Sequence, residues 1–197
     1  MTQVVGLTGG IASGKSTVSG LLGQVGFPII DADLVAHRLQ QPGQPGFERL
    51  VERFGRSILT MDGSLDRQRL GQFVFNNQDA RNQLNPGNQP PIRGTILGQL
   101  AGFTKAAVPA VILDVPLLFE QGYDEDCDLV VVVTVDKATQ LARLMKRDGL
   151  SQMAAQARVA AQMPLNEKAA RADIVIDNNG DDNHLRQQVA QLVKRLN

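Results

Sequence analysis

Cysteine and aromatic residues are scarce in this sequence of 197 residues, which contains one cysteine, no tryptophan and one tyrosine. A single cysteine excludes a disulfide bond within the chain and is typical of proteins in reducing compartments. Cys127 stands near the start of a predicted strand, where a small buried apolar side chain is the favoured interpretation and a reactive thiol is the alternative.

The sequence also lacks an excess of either charge, because 20 basic residues balance 20 acidic ones. Proteins that coat nucleic acids or anionic membranes usually carry a basic surplus, so neither kind of partner is expected. No apolar run reaches the roughly 20 residues that a membrane-spanning helix needs, and the initial MTQVVGLTGG has no basic flank of a signal peptide. We therefore expect a cytoplasmic protein that acts as a monomer or a weak homo-oligomer.

Short apolar runs are present instead, and segments with helical spacing separate them. This alternation predicts an α/β fold in which helices cover both faces of a parallel sheet. Helices are expected from Lys15, over residues 137–147 and over residues 183–196, where apolar residues recur at helical spacing. The five predicted strands are Val4–Thr8, Phe27–Asp31, Val108–Val115, Leu129–Val135 and Asp173–Asp177.

Two segments interrupt this alternation. Residues 42–102 have no strand pattern but contain amphipathic pieces such as FERLVERFG, which predicts an all-helical insertion between the second and third strands. Within the insertion, the prolines and glycines of LNPGNQPPIRG should end a helix. The second segment, RDGLSQMAAQARVAAQMP, has Ser151 as a helix cap and Pro164 as a helix end, and it could form a mobile flap.

The segment GGIASGKS, residues 9–16, matches the phosphate-loop pattern G-x-x-x-x-G-K-[ST]. A predicted strand precedes it and a helix follows it, which argues against a glycine-rich turn that matches by chance. Glycines let several backbone N–H groups converge on phosphate oxygens, and the helix adds its positive end. Lys15 would contact the β- and γ-phosphates, and the Ser16 hydroxyl would bind Mg²⁺. The predicted nucleotide-binding residues are Gly10, Ile11, Ala12, Ser13, Gly14, Lys15, Ser16 and Thr17.

Three aspartates lie at or just beyond the carboxyl ends of predicted strands. Asp114 ends the run AVILD, as the acid of a Walker B segment does, and is the second predicted magnesium ligand; capping the next turn is the alternative. Asp31 and Asp33 would point to the same side at the carboxyl edge of the sheet. Asp33 is the candidate proton acceptor for a hydroxyl that attacks the γ-phosphate, although it could also be the N-cap of the next helix. Asp31 would support the loop or the metal.

Phosphate loops occur in GTPases, motor ATPases and kinases, so other features must separate these classes. The chain has no N-K-x-D segment for guanine, and motor ATPases tend to be larger. A kinase needs an acceptor site and a means to exclude water. Arg143 and Arg147 share a helix face ahead of the flap and Arg158 lies within it, so these arginines could close over ATP and neutralise the moving phosphoryl group. Solvated surface charge is the alternative.

Six segments, in this order, resemble those of the dephospho-coenzyme A kinases: GLTGGIASGKSTV, DAD, DVPLLFE, RDGLS, AAQMP and ADIVIDNNG. The resemblance covers nearly the whole chain. It implies a P-loop NTPase fold of the nucleotide-kinase type, use of ATP and Mg²⁺, and phosphorylation of the ribose 3′-hydroxyl of dephospho-CoA. It also implies a nucleotide-binding core at residues 1–41, 104–147 and 165–197, a helical acceptor domain at 42–103 and a lid at 148–164.

On this resemblance, Asp33 is the residue nearest the 3′-hydroxyl, and Lys15, Arg143 and Arg147 join it as catalytic residues. The implied acceptor-binding residues are Asp33, Arg93, Pro116, Leu117, Leu118, Phe119 and Glu120, with Leu118 and Phe119 against the apolar parts of the acceptor.

The chain departs from the family at one place. A histidine and a proline usually precede an arginine in the acceptor domain; here Gln89 replaces the histidine, whereas Pro90 and Arg93 match. The local shape of that domain and any role of the histidine are therefore in question. His37, in the helix after DAD, is expected to be a surface or packing residue and not a catalytic one.

Two other functions stay open on the sequence. The same machinery could phosphorylate a nucleoside, a nucleotide or shikimate, or ATP could only switch the conformation of a binding module. Release of ADP that depends on the acceptor would separate a kinase from a switch.

Overall fold

The computed structural model describes residues 2–67, 69–71 and 90–197, and the apolar runs form one sheet in that part of the chain. The order of the strands across the sheet is second, third, first, fourth and fifth. The first strand pairs in parallel with the third and the fourth, so the predicted parallel sheet is confirmed. The strands are β1 (Gln3–Gly9), β2 (Ile29–Asp31), β3 (Ala110–Asp114), β4 (Leu129–Thr134) and β5 (Ile174–Asp177).

The central strands are buried along nearly their whole length, which explains their continuous apolar runs. All five residues of β3 are buried, and so are the first five of β4. The edge strand β2 is two residues shorter than predicted. Pro28 just precedes it and has no N–H group for a sheet hydrogen bond, although its carbonyl accepts one from Ile112 N at 2.9 Å.

Helices connect the strands, and the predicted starts at Lys15 and near residues 137 and 183 are confirmed. Short 3₁₀ turns cover Arg56–Ile58 and Asp124–Asp126. The helices bounded within the described part of the chain are α1 (Lys15–Gln24), α2 (Ala32–Leu39), α3 (Pro45–Phe54), α4 (Pro90–Lys105), α5 (Lys137–Asp148), α6 (Gln152–Ala160), α7 (Leu165–Ala170) and α8 (Asp182–Leu196); residues 67 and 69–71 are helical as well.

The flap segment differs from its prediction at one end. The Ser151 hydroxyl accepts a hydrogen bond from Ala154 N, so the predicted cap of α6 is confirmed. The helix ends at Ala160, however, and not at Pro164 as expected. Pro164 is instead the N-cap residue of the short helix α7, which the sequence pattern did not predict, and its carbonyl accepts a hydrogen bond from Lys168 N at 3.0 Å.

The main hydrophobic core lies between the sheet and the pair α1 and α8. Val18 and Leu22 of α1 and Leu185 and Val189 of α8 are buried in it. A Cβ at Gly6 of β1 would come within 2.7 Å of both Leu118 Cδ1 and Cys127 Sγ. Gly6 therefore permits the segment after β3 to pack directly on the sheet.

The chain divides into two compact units, Met1–Ile30 with Gly102–Asn197, and Asp31–Ala101. The second unit has a small core of its own, in which Leu50, Ile58 and Leu70 are buried. An antiparallel bridge joins Leu59 to Leu65, so the expectation that the insertion is all-helical is wrong at this turn.

The bounds of the acceptor domain and lid stay predictions. Residues 84–89, where LNPGNQ was expected to end a helix, lie outside the described residues, and α4 begins at Pro90. Among the residues that the structure describes, no helix has the length and apolar character to cross a lipid bilayer.

Candidate active site

The phosphate loop connects the end of β1 at Gly9 to the start of α1 at Lys15. Its backbone is left-handed at Ala12, with φ 59°, and at Gly14, with φ 95°. A side chain at Gly14 would also overlap the amide of Asn178. Glycine is therefore required at this position by both conformation and space, whereas Ala12 carries the local strain typical of a functional loop.

Open amide groups lie at the N-terminus of α1. Within the described part of the chain, the N–H groups of Gly14, Lys15 and Ser16 donate to no acceptor. No side chain caps α1, whereas side chains cap α5, α6 and α8. Because the open amides coincide with the positive end of the helix, the loop is suited to bind phosphate oxygens.

Three neutral side chains from distant parts of the sequence hold the loop, and we call them the amide clamp. Gln140 Nε2 donates to Ile11 O at 2.9 Å, and Gln162 Oε1 accepts from Ile11 N at 2.8 Å. Asn178 Nδ2 donates to Ser13 O at 2.8 Å. The clamp therefore fixes the loop backbone without adding charge beside the open amides.

Two of the charged residues predicted for this site, Lys15 and Asp114, contact each other. Lys15 Nζ forms an ion pair with Asp114 Oδ1, and Asp114 is 3% exposed at the end of β3. Its carboxylate therefore faces the phosphate loop, and the Val115 amide after it donates to Leu7 O. Ser16 and Thr17 are exposed on the first turn of α1.

The two aspartates of DAD have different roles in the second unit. Asp31 is the N-cap of α2, because its Oδ1 accepts from Leu34 N at 3.0 Å. Asp33 is exposed in the first turn of that helix, so the alternative that made Asp33 the cap is wrong. A sequence predicts the first residue of a helix only to within one or two positions. A shift of that size decides which of the two aspartates is the N-cap of α2. His37 is exposed, as expected.

The segment Pro116–Glu120 follows β3 and Val115 in the first unit. Leu118 is fully buried and Phe119 is 7% exposed, with the Arg171 guanidinium 4.2 Å from the centre of its ring. Both side chains pack within the protein. The partly exposed members of the segment are Pro116, Leu117 and Glu120.

Arg143 has a different partner from Arg147 and Arg158, the other two arginines that were expected to close over ATP. Arg143 Nη2 donates to Asn178 O at 3.2 Å, next to the amide clamp. Arg147 and Arg158 both pair with Asp148, each at 2.7 Å. The hydrogen bond from Arg147 is the main cause that lowers the pKa of Asp148, and the charge of Arg158 acts in the same direction. Asp148 therefore joins the end of α5 to α6.

A family model described as dephospho-CoA kinase matches residues 3–184 of this chain. The chain belongs to the dephospho-CoA kinase family. The matched residues include the phosphate loop, DAD, DVPLLFE and the amide clamp, so the expectation drawn from the sequence segments is confirmed.

Individual relatives agree with this assignment to the dephospho-CoA kinases. A dephospho-CoA kinase of Symbiobacterium thermophilum is 51% identical over 187 residues, which is 95% of this chain and 78% of the relative. One of Geobacillus kaustophilus is 45% identical and covers 99% of this chain and 97% of its own. The solved structure of dephospho-CoA kinase from Campylobacter jejuni has a TM-score of 0.73 and 33% identity, with coverage of 100% and 98%.

The structure describes only part of the segment that departs from the dephospho-CoA kinase pattern. Gln89, which replaces the expected histidine, lies outside the described residues. Arg93 is half-buried near the start of α4, in the second unit.

Sequence reasoning missed the roles of four residues in the first unit. Gln140, Gln162 and Asn178 form the amide clamp, and Lys168 is a buried lysine bonded to the segment Pro116–Glu120. Asn178 had a usable signal, because it directly follows β5 and so lies, like Asp114 at the last position of β3, at the carboxyl end of a strand. Gln140, Gln162 and Lys168 lie in helices or a loop, where nothing in their spacing distinguishes them from surface residues.

Proposed function

We propose that this chain transfers the γ-phosphate of ATP to the ribose 3′-hydroxyl of dephospho-CoA, and so releases ADP and coenzyme A. The observation that carries the proposal is a phosphate loop with open amides in a chain that matches the dephospho-CoA kinase model over residues 3–184. The match extends far beyond the loop that all P-loop proteins share, and for this reason we prefer dephospho-CoA to other acceptors.

The phosphate loop would bind ATP in two ways. The N–H groups of Gly14, Lys15 and Ser16 would donate to phosphate oxygens, and Ile11, Ala12 and Ser13 would shape the loop together with Gly10. The Lys15 ammonium would move from Asp114 toward the β- and γ-phosphates, since their combined charge exceeds that of one carboxylate. Thr17 would lie near the α-phosphate.

Ser16 and Asp114 fit a magnesium ion, because both offer oxygen atoms beside the loop. Magnesium usually takes only one or two protein ligands and fills its other positions with phosphate and water oxygens. The described residues contain no cluster of three or more His, Cys, Asp or Glu that would hold a metal by itself, in keeping with a shared site. When bound, the ion supplies positive charge to the phosphates.

Asp33 is the proposed proton acceptor for the attacking 3′-hydroxyl. Asp33 is exposed in the first turn of α2, and Asp31 caps that helix. The transition state of phosphoryl transfer is loose, so orientation of the hydroxyl should matter more than the strength of the base. Pro116–Glu120 and Arg93 are the proposed acceptor-binding residues, and the segment can contact the acceptor through Pro116, Leu117 and Glu120, which are partly exposed.

Arg143 and Arg147 are proposed to stabilise the negative charge of the transferred phosphoryl group. Arg143 is the stronger candidate, because its partner Asn178 also holds the phosphate loop. Arg147 would have to leave Asp148 before it could act on ATP, and Arg158 could keep that carboxylate paired. We further propose a cytoplasmic location, which the single cysteine favours, and a monomer or weak homo-oligomer that binds neither nucleic acid nor membrane.

An acceptor panel tests the proposal directly. The purified protein, with ATP and Mg²⁺, is given dephospho-CoA, adenosine, AMP or shikimate, and ADP release is followed in a coupled assay. We expect rapid release only with dephospho-CoA, and a product that mass spectrometry and ³¹P NMR identify as the 3′-phosphate. Equal, slow release with and without every acceptor would instead indicate a nucleotide-dependent switch, and rapid release with another acceptor would indicate a different kinase.

A further inference from the structure

Lys168, on α7, is fully buried, which is rare for a lysine. Its Nζ lies 2.9 Å from Glu120 Oε1 and 2.8 Å from the carbonyl oxygen of Pro116. These two residues are the first and last of the segment Pro116–Glu120. One ammonium group therefore bonds both ends of the proposed acceptor-binding segment.

Other hydrogen bonds connect this pair to the rest of the site. The Pro116 carbonyl also accepts from Thr8 Oγ1 at 3.0 Å, near the end of β1. Glu120 Oε1 also accepts from Met163 N at 3.0 Å. Met163 directly follows Gln162, whose side chain binds Ile11 of the phosphate loop. The ion pair therefore connects the acceptor-binding segment to Met163, which directly follows the clamp residue Gln162 at the end of the lid segment.

A buried ion pair is by itself weak evidence of a contribution to stability. Removing two charges from water is costly, and well-packed apolar residues of similar volume are often as stable as a buried ion pair. Burial is the main cause that lowers the pKa of Lys168, the nearby charge of Lys15 acts in the same direction, and Glu120 opposes both. The pair is therefore held at an energetic cost, close enough to Lys15 for the two ammonium groups to interact.

We propose that Lys168 is a positioning residue for phosphoryl transfer, which orders Pro116–Glu120 through the Glu120 carboxylate and the Pro116 carbonyl. This inference rests on the proposed function, because it takes that segment as the acceptor-binding surface. Lys168 is not itself placed on substrate. Its loss should therefore impair use of the acceptor and leave the binding of ATP largely intact.

The variant Lys168→Met, which removes the ammonium but keeps much of the side-chain volume, tests this inference. We expect kcat/KM for dephospho-CoA to fall by about 10- to 100-fold, the range for displacement of a positioned substrate, with a clear increase in KM. The Kd of ATP, measured by calorimetry, should change by less than about threefold, as suits the loss of no direct contact. The matched control Lys194→Met removes a lysine from the last turn of α8 and should change neither value.

A second variant separates positioning from folding. Lys168→Met leaves Glu120 charged and unpaired, whereas the double variant Glu120→Gln/Lys168→Met removes both charges. We expect the double variant to regain thermal stability while the defect toward dephospho-CoA persists, because the Pro116 carbonyl still lacks its ammonium partner. The milder variant Thr8→Val, which removes the other donor to Pro116, should give a smaller defect of the same kind.

Three results would overturn the inference. Unchanged kinetics in Lys168→Met with only a lower melting temperature would mark a purely structural lysine. Full recovery of kinetics in the double variant would mark a defect of charge burial, and a loss of ATP affinity as large as the loss of acceptor use would mark a phosphate ligand. If the wild-type protein itself released no ADP with dephospho-CoA, the proposed function would fail instead, which keeps the two failures distinct.

Discussion

The phosphate loop and the segment Pro116–Glu120 both follow strands of the same sheet, but the protein holds them by different means. Neutral amides of Gln140, Gln162 and Asn178 hold the loop, whereas the charged groups of Lys168 and Glu120 hold the segment. A fixed charge beside the loop would alter the field at the very amides that must receive phosphate. The difference suits the two tasks, because neutral amides fix the loop backbone without adding charge beside the amides that would bind phosphate.

Loss of Lys15 should give the largest effect, because this residue belongs to the phosphate loop and pairs with Asp114. In Lys15→Ala we expect both ATP affinity and turnover to fall, with kcat lower by about 10²- to 10³-fold, as for the removal of other preorganised electrostatic groups. Calorimetry with ATP and steady-state ADP release measure the two losses.

The variant also leaves the buried Asp114 carboxylate without its partner, so stability needs a control. Lys15→Ala/Asp114→Asn removes that unpaired charge and should melt at a higher temperature than Lys15→Ala while remaining inactive. Normal ATP affinity in either variant would contradict the phosphate contact assigned to Lys15.

Loss of Asp33 should slow phosphoryl transfer without weakening the binding of ATP. In Asp33→Asn we expect ATP affinity near the wild-type value and a kcat lower by about 10²-fold, the usual contribution of a general base. The cap of α2 is Asp31, so the substitution leaves that hydrogen bond in place. Asp31→Asn, which can still cap the helix, is the matched control. Normal turnover in Asp33→Asn would remove its proton-acceptor role.

Asn178 tests whether the neutrality of the amide clamp matters. Asn178→Leu removes one hydrogen bond to the loop and should weaken ATP binding by roughly 2- to 10-fold, in line with about 0.5–1.5 kcal/mol for such a bond. Asn178→Asp removes the same donor and adds a negative charge, so its ATP affinity should be lower still, most clearly at low salt. Equal affinities in the two variants would show that charge near the clamp has no influence.

The last prediction concerns the rate at which the Cys127 thiol is alkylated, which depends on the packing beside the segment Pro116–Glu120. Its thiol lies beside Gly6 and Leu118, and burial is the main cause that raises its pKa to about 12, with nearby Asp126, Asp124 and Asp128 adding to the rise. At pH 8 the folded protein should therefore react with iodoacetamide far more slowly than the unfolded protein. Since the chain has one cysteine, the mass of the whole protein gives the rate directly. Rapid alkylation of the folded protein would contradict this packing.

Local patterns predicted most of the fold. The strands β1, β3, β4 and β5 were predictable because runs of buried apolar residues need no distant partner to be recognised, and Lys15 and Ser16 because the phosphate-loop motif is contiguous. The predictions were wrong at helix ends, where a shift of a few residues changes which residue is the cap. Asp31 and not Asp33 caps α2, and Pro164 is the N-cap residue of α7 and not the end of α6.

Contacts over long sequence separations could not be predicted in this way. Asn178 binds Ser13 across 165 positions, and Gln162 binds Ile11 across 151. A glutamine or asparagine in a polar segment looks the same in the sequence whether it is solvated or bonded to the backbone of another element. Lys168 is the strongest case, because a lysine on a short helix would be taken for a surface residue and is instead fully buried.

The amino-acid sequence by itself determined the class of fold, the family and the phosphate loop, since each depends on residues that are neighbours along the chain. Only the tertiary structure decided which side chains hold that loop and where Lys168 places its charge. The physical reason is that hydrogen bonds and ion pairs depend on distances of about 3 Å in space, and chain folding brings such groups together whatever their separation in the sequence.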